Sequence, residues 1–353
     1  MKKIIITLAA ASAALCACNK EAATVSPLET PNEVSMIAFN NIGTRGYVEG
    51  ELFADTPYNK LHKPAYEPKV ADDGRTMLIS SFLTPQSGVP GTYFKEATYK
   101  YSATDTFWHN FVEDELAPIY WPLGGQLDFL ALSVTNDIPA GALTWDEENI
   151  ANSFTLQASD AFKQDDILFS SVSSRKVGVD PKVEMRFKHA QAWIQFQLND
   201  GDASNGGESI VTVQKVELVN IYSKGAVTVY NNLGNTFAKW DFRLETRMDV
   251  PMDDTYGVTA SPLVAKDGVE GEGTDTIGYM DMLIPEQPKT GFRITYKLEG
   301  QENVLSYYHE LEHESWLMGN KYIYKIDFGT NEITVDPSVE SFTGVADYEY
   351  PED

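Results

Sequence analysis

Cysteine is nearly missing from this chain of 353 residues: there are two, Cys16 and Cys18, both at the extreme N-terminus. Once a leader is removed, no disulfide framework, thiolate metal cluster or cysteine nucleophile remains. Stability has to come from burial. Basic residues are scarce as well, with 27 Lys and Arg against 52 Asp and Glu and a formal charge of −25. Binding to a polyanion works by counterion release at a basic face, so this balance speaks against a nucleic acid partner. Long apolar helical stripes are scarce, and no G-x-S-x-G, Walker or dinucleotide fingerprint and no repeat of fixed period occurs. What is present is 42 % hydrophobic and 12 % aromatic residues, enough for packed cores, while 25 Gly, 17 Pro and 18 Tyr lean the composition toward β structure. The length suggests about two domains.

The N-terminus carries an address. Lys2 and Lys3 precede an apolar stretch, Ile4 to Ala17, too short for a membrane span of about 20 residues but charged and sized like a secretory signal. It ends in Leu15-Cys16-Ala17-Cys18-Asn19, which resembles a bacterial lipobox, with residues 1–17 as signal peptide and Cys18 as the lipidated residue. Acyl chains contribute about 0.8 kcal/mol per buried CH₂, so an acylated Cys18 holds the chain on a membrane without spanning it. The bland alternative is an ordinary signal peptide with two incidental cysteines. Removing residues 1–17 leaves 25 basic residues against 52 acidic ones, a net −27 that keeps copies apart until something specific joins them. Residues 18–33 are small, polar and contain two prolines, as expected of a tether.

Beyond the tether, apolar and polar residues alternate with the period of half-buried strands. Val183, Met185 and Phe187 set the pattern, followed by Ile194, Phe196 and Leu198, then Tyr322, Tyr324, Ile326 and Phe328. Turns punctuate these runs at Asn205-Gly206-Gly207, Ser223-Lys224-Gly225, Asn232-Leu233-Gly234 and Gly329-Thr330-Asn331. Short strands without a βαβ rhythm argue for an all-β fold of sandwiches. One helical connector is expected over Ser159 to Phe169. The polar stretch Ser170 to Pro181 is the expected boundary, dividing the chain into domains 34–181 and 182–353.

Several motifs invite a chemical reading. His309-Glu310-Leu311-Glu312-His313 is a literal H-E-x-x-H, which zinc proteases place on a helix. Here it continues the strand-like run from Val304, and on a strand two such histidines sit about 13 Å apart, too far for one zinc with bonds near about 2.1 Å. The loop from Asn199 to Gly206 has Asn205 where a calcium loop starting at Asp200 needs its sharp-turn Gly, so a hairpin loop is the better reading. Asp253-Asp254 and the run from Glu270 to Asp275 read as solvated loops, and His189 as a structural hydrogen-bonding residue. No catalytic residue, metal or cofactor is expected.

Four segments together resemble the fimbrillin family, the type V pilus subunits of Bacteroidales. They are Ile119-Tyr120-Trp121-Pro122-Leu123 running through Leu127-Asp128-Phe129-Leu130-Ala131; Phe187-Lys188-His189-Ala190 continuing to Ile194-Gln195-Phe196; Leu283-Ile284-Pro285-Glu286-Gln287; and Trp316-Leu317-Met318-Gly319-Asn320-Lys321-Tyr322-Ile323-Tyr324. In the second, Ala190 and Ala192 straddle the family's usual alanine position. The resemblance implies two tandem transthyretin-like β-sandwich domains, export as an outer-membrane lipoprotein, and polymerisation with other pilus subunits by strand exchange once a trypsin-like protease trims the N-terminal segment.

Such an exchange is physically sensible. A sandwich that loses an edge strand exposes unpaired N–H and C=O groups above an apolar groove, which an extended segment of another chain can fill. The strand expected to leave is Val34-Ser35-Met36-Ile37-Ala38-Phe39, within the removable segment 34–45. Arg45, the first arginine, has glycines at 43 and 46 and is the expected cleavage point, or else a surface residue without a processing role. The expected donor is the tail 331–353. Ile333, Val335 and Val339 alternate with polar residues there, Phe342 and Val345 follow, and seven acidic residues are met by no basic one. The competing reading is a terminal hairpin closing the chain's own second domain. The alternative function is a monomeric outer-membrane lipoprotein binding glycans on exposed aromatics such as Trp108, Trp145 or Trp240, against which stands the reading of most of the six tryptophans as core.

Overall fold

The computed structural model describes residues 33–40, 76–102, 107–113, 115–134, 138–158, 167–176, 182–200, 211–233, 235–251, 263–265, 276–298, 300–312, 314–328 and 333–341. Among them there are only strands and connecting turns. In chain order these are β1 (Ser35–Asn40), β2 (Thr76–Thr84), β3 (Gly91–Ser102), β4 (Phe107–Val112), β5 (Glu115–Leu116), β6 (Gln126–Val134), β7 (Leu143–Trp145) and β8 (Ser153–Ala158). Then come β9 (Leu168–Lys176), β10 (Lys182–His189), β11 (Gln191–Asp200), β12 (Val211–Ile221), β13 (Gly225–Asn232), β14 (Asn235–Asp241), β15 (Met248–Pro251) and β16 (Leu263–Ala265). The last are β17 (Thr276–Pro285), β18 (Gln287–Pro288), β19 (Gly291–Leu298), β20 (Val304–Glu310), β21 (Ser315–Trp316), β22 (Asn320–Phe328) and β23 (Ile333–Ser341). The fold is all-β, as the alternation predicts.

The first sheet runs β1-β10-β9-β6-β2-β3-β4-β5, and β1 also meets β4. Seven strands therefore close into a ring in which β1 is the joining member. The alternating residues Val183, Met185 and Phe187 of β10 point into it and pack with Met77, Ile79, Tyr99, Leu127 and Phe129. The opposite face of β6 and β9, carrying Leu130, Leu132 and Phe169, is covered by a four-stranded sheet β14-β13-β8-β7 through Phe154, Leu156, Val227, Val229 and Trp240.

The division expected at 181/182 does not coincide with a break in pairing. β10 lies beside β9 and β1, and the covering sheet takes β7 and β8 from one side of that point and β13 and β14 from the other. The stretch from Ser170, read as a polar boundary, begins inside β9, where Ser170 and Ser171 are 1 % and 9 % exposed. Ser171 can be buried because its hydroxyl is bonded to the Thr236 hydroxyl at 2.7 Å and to Asn231 Oδ1 at 3.1 Å. A strand interior satisfied in this way does not look apolar in sequence. The expected helical connector fares similarly: Leu168 and Phe169 open β9, and residues 159–166 lie outside the described residues.

The second core is a sandwich. One sheet is β17-β11-β22-β23, the other β15-β12-β19-β20 with β16 beside β12. Between them lie Ile194, Phe196, Leu198, Val216, Leu218, Phe292, Ile294, Tyr322, Tyr324 and Ile326. Phe196 stands 4.9 Å from Phe292, edge to face, and 5.4 Å from Tyr324, stacked. The buried phenols are tied: Trp316 Nε1–H donates to Tyr324 Oη at 2.8 Å, and Tyr322 Oη accepts from Leu317 N–H at 2.8 Å.

Gln287, 3 % exposed, clamps the same end of the sandwich. Its Oε1 accepts from Tyr222 N–H and its Nε2–H donates to Tyr222 C=O, both at 2.7 Å. Replacing it by leucine strands both main-chain groups, and Gln287→Leu is expected to lower stability by about 2 kcal/mol in denaturant unfolding.

Between the two cores the chain bends at a single residue. Ala190 alone separates β10 from β11. Its N–H donates to Ile167 C=O at 2.8 Å and its C=O accepts from Trp240 Nε1–H at 2.7 Å. Gln191 continues the fastening, its Oε1 accepting from Ile167 N–H at 3.0 Å and its C=O from Gly319 N–H at 2.9 Å.

Candidate functional site: the β1 seam and the β23 edge

β1 sits between β10 and β4. It pairs with β10 in parallel over six positions, from Ser35 opposite Lys182 to Asn40 opposite Phe187, and meets β4 at Met36 opposite Trp108. Val34 and Met36 are 0 % exposed and belong to the first core with Trp108, Val183 and Met185. Without β1 the facing edges of β10 and β4 would lose their main-chain partners above an apolar floor, the arrangement that an added strand fills. Lys182 at the start of β10 holds its ammonium 3.8 Å from the ring centroid of Phe107 at the start of β4. The two walls of the seam thus touch at one rim.

The N-terminal end of β1 has further fastenings that sequence reading missed. Val34 N–H donates to Ile119 C=O at 2.7 Å, and Glu33 forms a bridge with Tyr120. Tyr99 Oη–H donates to Val34 C=O at 3.2 Å. Burial raises the Tyr99 phenol well above its ordinary pKa, and the Glu33 carboxylate adds to the shift, so the hydroxyl stays a donor. Glu33 Oε1 lies 2.9 Å from Nδ1 of His109 on β4. The only sequence signal for this cluster is the Ile119-Tyr120-Trp121-Pro122 segment, whose Trp121 packs edge-on against Phe129 at 6.1 Å.

At the other end of the chain β23 pairs antiparallel with β22 from Ile333 opposite Phe328 to Ser341 opposite Asn320. Ile333 and Val335 are half-buried against the second core, while Val339 is 56 % exposed. This hairpin extends past Pro337, so in the isolated chain the segment 338–341 is also paired at home. For Ile37, Ala38 and Phe39 the register places the backbone opposite Glu184, Met185 and Arg186. Cys18, Arg45, Phe342 and Val345 lie outside the described residues.

The remaining candidates give no site. Trp108, Trp145 and Trp240 are 5 %, 7 % and 8 % exposed because they fill the core of the ring and the core under its covering sheet, so they offer no sugar-stacking face. His309 is on β20, as its strand-like run predicts; its ring lies 5.2 Å from Phe292 and its Nδ1 3.1 Å from the Tyr307 hydroxyl. Burial holds its pKa below the ordinary histidine value. His313 lies outside the described residues, and among those described no group of three or more His, Cys, Asp or Glu side chains could hold a metal.

From just before β2 to the end of β23, residues 70–341, the chain is matched by a family model described as fimbrillin-like. The chain belongs to the fimbrillin-like family. Among solved structures it is similar to a putative cell adhesion protein from Bacteroides uniformis at 16 % identity and a TM-score of 0.52, covering 88 % of this chain and 100 % of that one. It is also similar to a fimbrial protein from Bacteroides vulgatus at 12 % identity and a TM-score of 0.52, covering 88 % and 99 %. At such identities the likeness is one of fold. No curated protein matches the chain. As a fimbrillin-like chain it is by family a structural fimbrial subunit, whose place is the cell-surface fimbrium.

Proposed function

We propose that the protein is a fimbrial subunit that polymerises with other subunits by strand replacement at the β1 seam and so supports adhesion. It is exported as a lipoprotein acylated on Cys18 and held at the outer membrane. A trypsin-like protease then cuts after Arg45, and β1 departs. The vacated edges of β10 and β4 accept an extended segment from a neighbouring subunit, supplied by the tail 331–353 through Ile333, Val335, Val339, Phe342 and Val345. The observation that carries this reading is β1 itself: it pairs along β10, meets β4, and buries Val34 and Met36 completely, yet reaches the ring from an N-terminal segment distant in sequence from the strands it joins. Main-chain pairing supplies affinity and the apolar floor supplies register.

Arg45→Ala is expected to leave a folded chain that forms no filaments when treated with trypsin-like protease, whereas filaments of the wild type begin at Gly46 on N-terminal sequencing. Filaments that still begin at Cys18 would remove the cleavage step.

A further inference from the structure

We propose that Glu33 and His109, with the main-chain bonds beside them, form a catch that keeps β1 seated after the chain is cut on its C-terminal side. Release of β1, and not the cut, then sets the onset of assembly. This inference rests on the strand-replacement reading for its purpose, though not for its geometry.

Among the described residues, the fastenings beyond the ladder gather at the N-terminal end of β1. Within those residues β1 pairs with β10 along its length and meets β4 at Met36. The residues just before the strand reach three other places. Val34 N–H bonds Ile119 C=O at 2.7 Å, Val34 C=O accepts from Tyr99 on β3 at 3.2 Å, and Glu33 bridges Tyr120. Glu33 Oε1 and His109 Nδ1 are 2.9 Å apart, with side chains 24 % and 11 % exposed, so the pair is sheltered from solvent on the histidine side. A bond from an imidazole N–H to a carboxylate is among the stronger kinds whether or not the ring is charged.

The surface that receives Glu33 and Val34 is itself fixed. Asn110, 6 % exposed, donates through Nδ2 to Ala117 C=O at 2.7 Å while its own C=O accepts from Ala117 N–H at 2.9 Å. Tyr93 Oη–H donates to Tyr120 C=O at 2.5 Å. A cut after Arg45 frees the C-terminal end of β1, so the strand peels from Asn40 toward Glu33 and stalls at the catch. A subunit cut in solution thus keeps its seam covered until a competing strand has displaced the rest of β1.

The test follows the fragment 18–45 on the cut full-length mature chain by native mass spectrometry. Wild type is expected to retain it for a measurable half-life, and Glu33→Ala to shorten that half-life about tenfold, the scale of one charge-assisted hydrogen bond. The double variant Glu33→Ala with His109→Gln should leave no faster than either single one, because both remove the same bond. In the uncut chain, amide exchange at Val34 and Ser35 should rise by a similar factor in Glu33→Ala. Equal half-lives and equal exchange in wild type and Glu33→Ala would overturn the catch. Catch-dependent retention without filaments from the released chain would instead overturn strand replacement and leave the catch standing.

Discussion

Met36→Asp should expel β1 from its seam without any protease. Met36 is 0 % exposed, faces Val183 across the β10 pairing and Trp108 across the β4 pairing, and shares its cluster with Tyr99 and Phe129. A carboxylate there has no cationic partner among the described members of that cluster, and burying it costs about 4 kcal/mol or more. The cost falls on the state with β1 seated, so the unseated population rises by roughly three orders of magnitude. The expected result is a chain whose other strands still pair, with Trp108 emission shifted to the red, fast exchange at the β10 amides, and oligomers in the absence of cleavage. The same substitution at exposed Val339 should change stability by no more than about 0.5 kcal/mol. An uncut Met36→Asp chain that remained monomeric, with wild-type Trp108 emission, would show that β1 is not what separates a closed subunit from an open one.

The second large effect concerns the other end. Deleting Ser338 to Asp353 removes the last four positions of β23, which pair with Ile323, Tyr322, Lys321 and Asn320, and keeps Ile333 and Val335 against the second core. The truncated chain is expected to fold as a monomer with a stability loss of about 1–2 kcal/mol and to form no filament when cut. Mixed with cut wild type it should still accept a donor and terminate growth. Gel filtration establishes the monomer and electron microscopy counts the filaments; polymers of normal length from the truncated chain alone would assign the donor role to another segment.

Legibility in the sequence followed the physics of each element. Where one face of a strand is apolar and the other polar, as in Val183-Glu184-Met185-Arg186-Phe187, the observed burial alternates as the letters do. Where polar side chains are buried and satisfied by one another, as Ser171 is by Thr236 and Asn231, the letters suggest a boundary that the pairing does not have. Pairing between distant segments leaves no local mark at all. Nothing in Ser35 to Asn40 says that its partner is the segment beginning at Lys182, because backbone hydrogen bonds are chemically the same for every residue. The catch is hidden for a related reason: Glu33 closes a polar tether by composition, and only the fold brings His109 to it. Tryptophans were a poor guide to surface function, since large aromatics fill cores first.

The one-residue join between β10 and β11 has a mechanical consequence. A tensile pull transmitted through a strand lying along β10 would load that ladder in shear, where the main-chain bonds resist together, and would pass through Ala190 into the second sandwich along the covalent chain. Because Ala190 and Gln191 are moored to Ile167, Trp240 and Gly319, the bend at this junction is braced against opening as well as stretching, and load would cross from one core to the other without the hinge flexing.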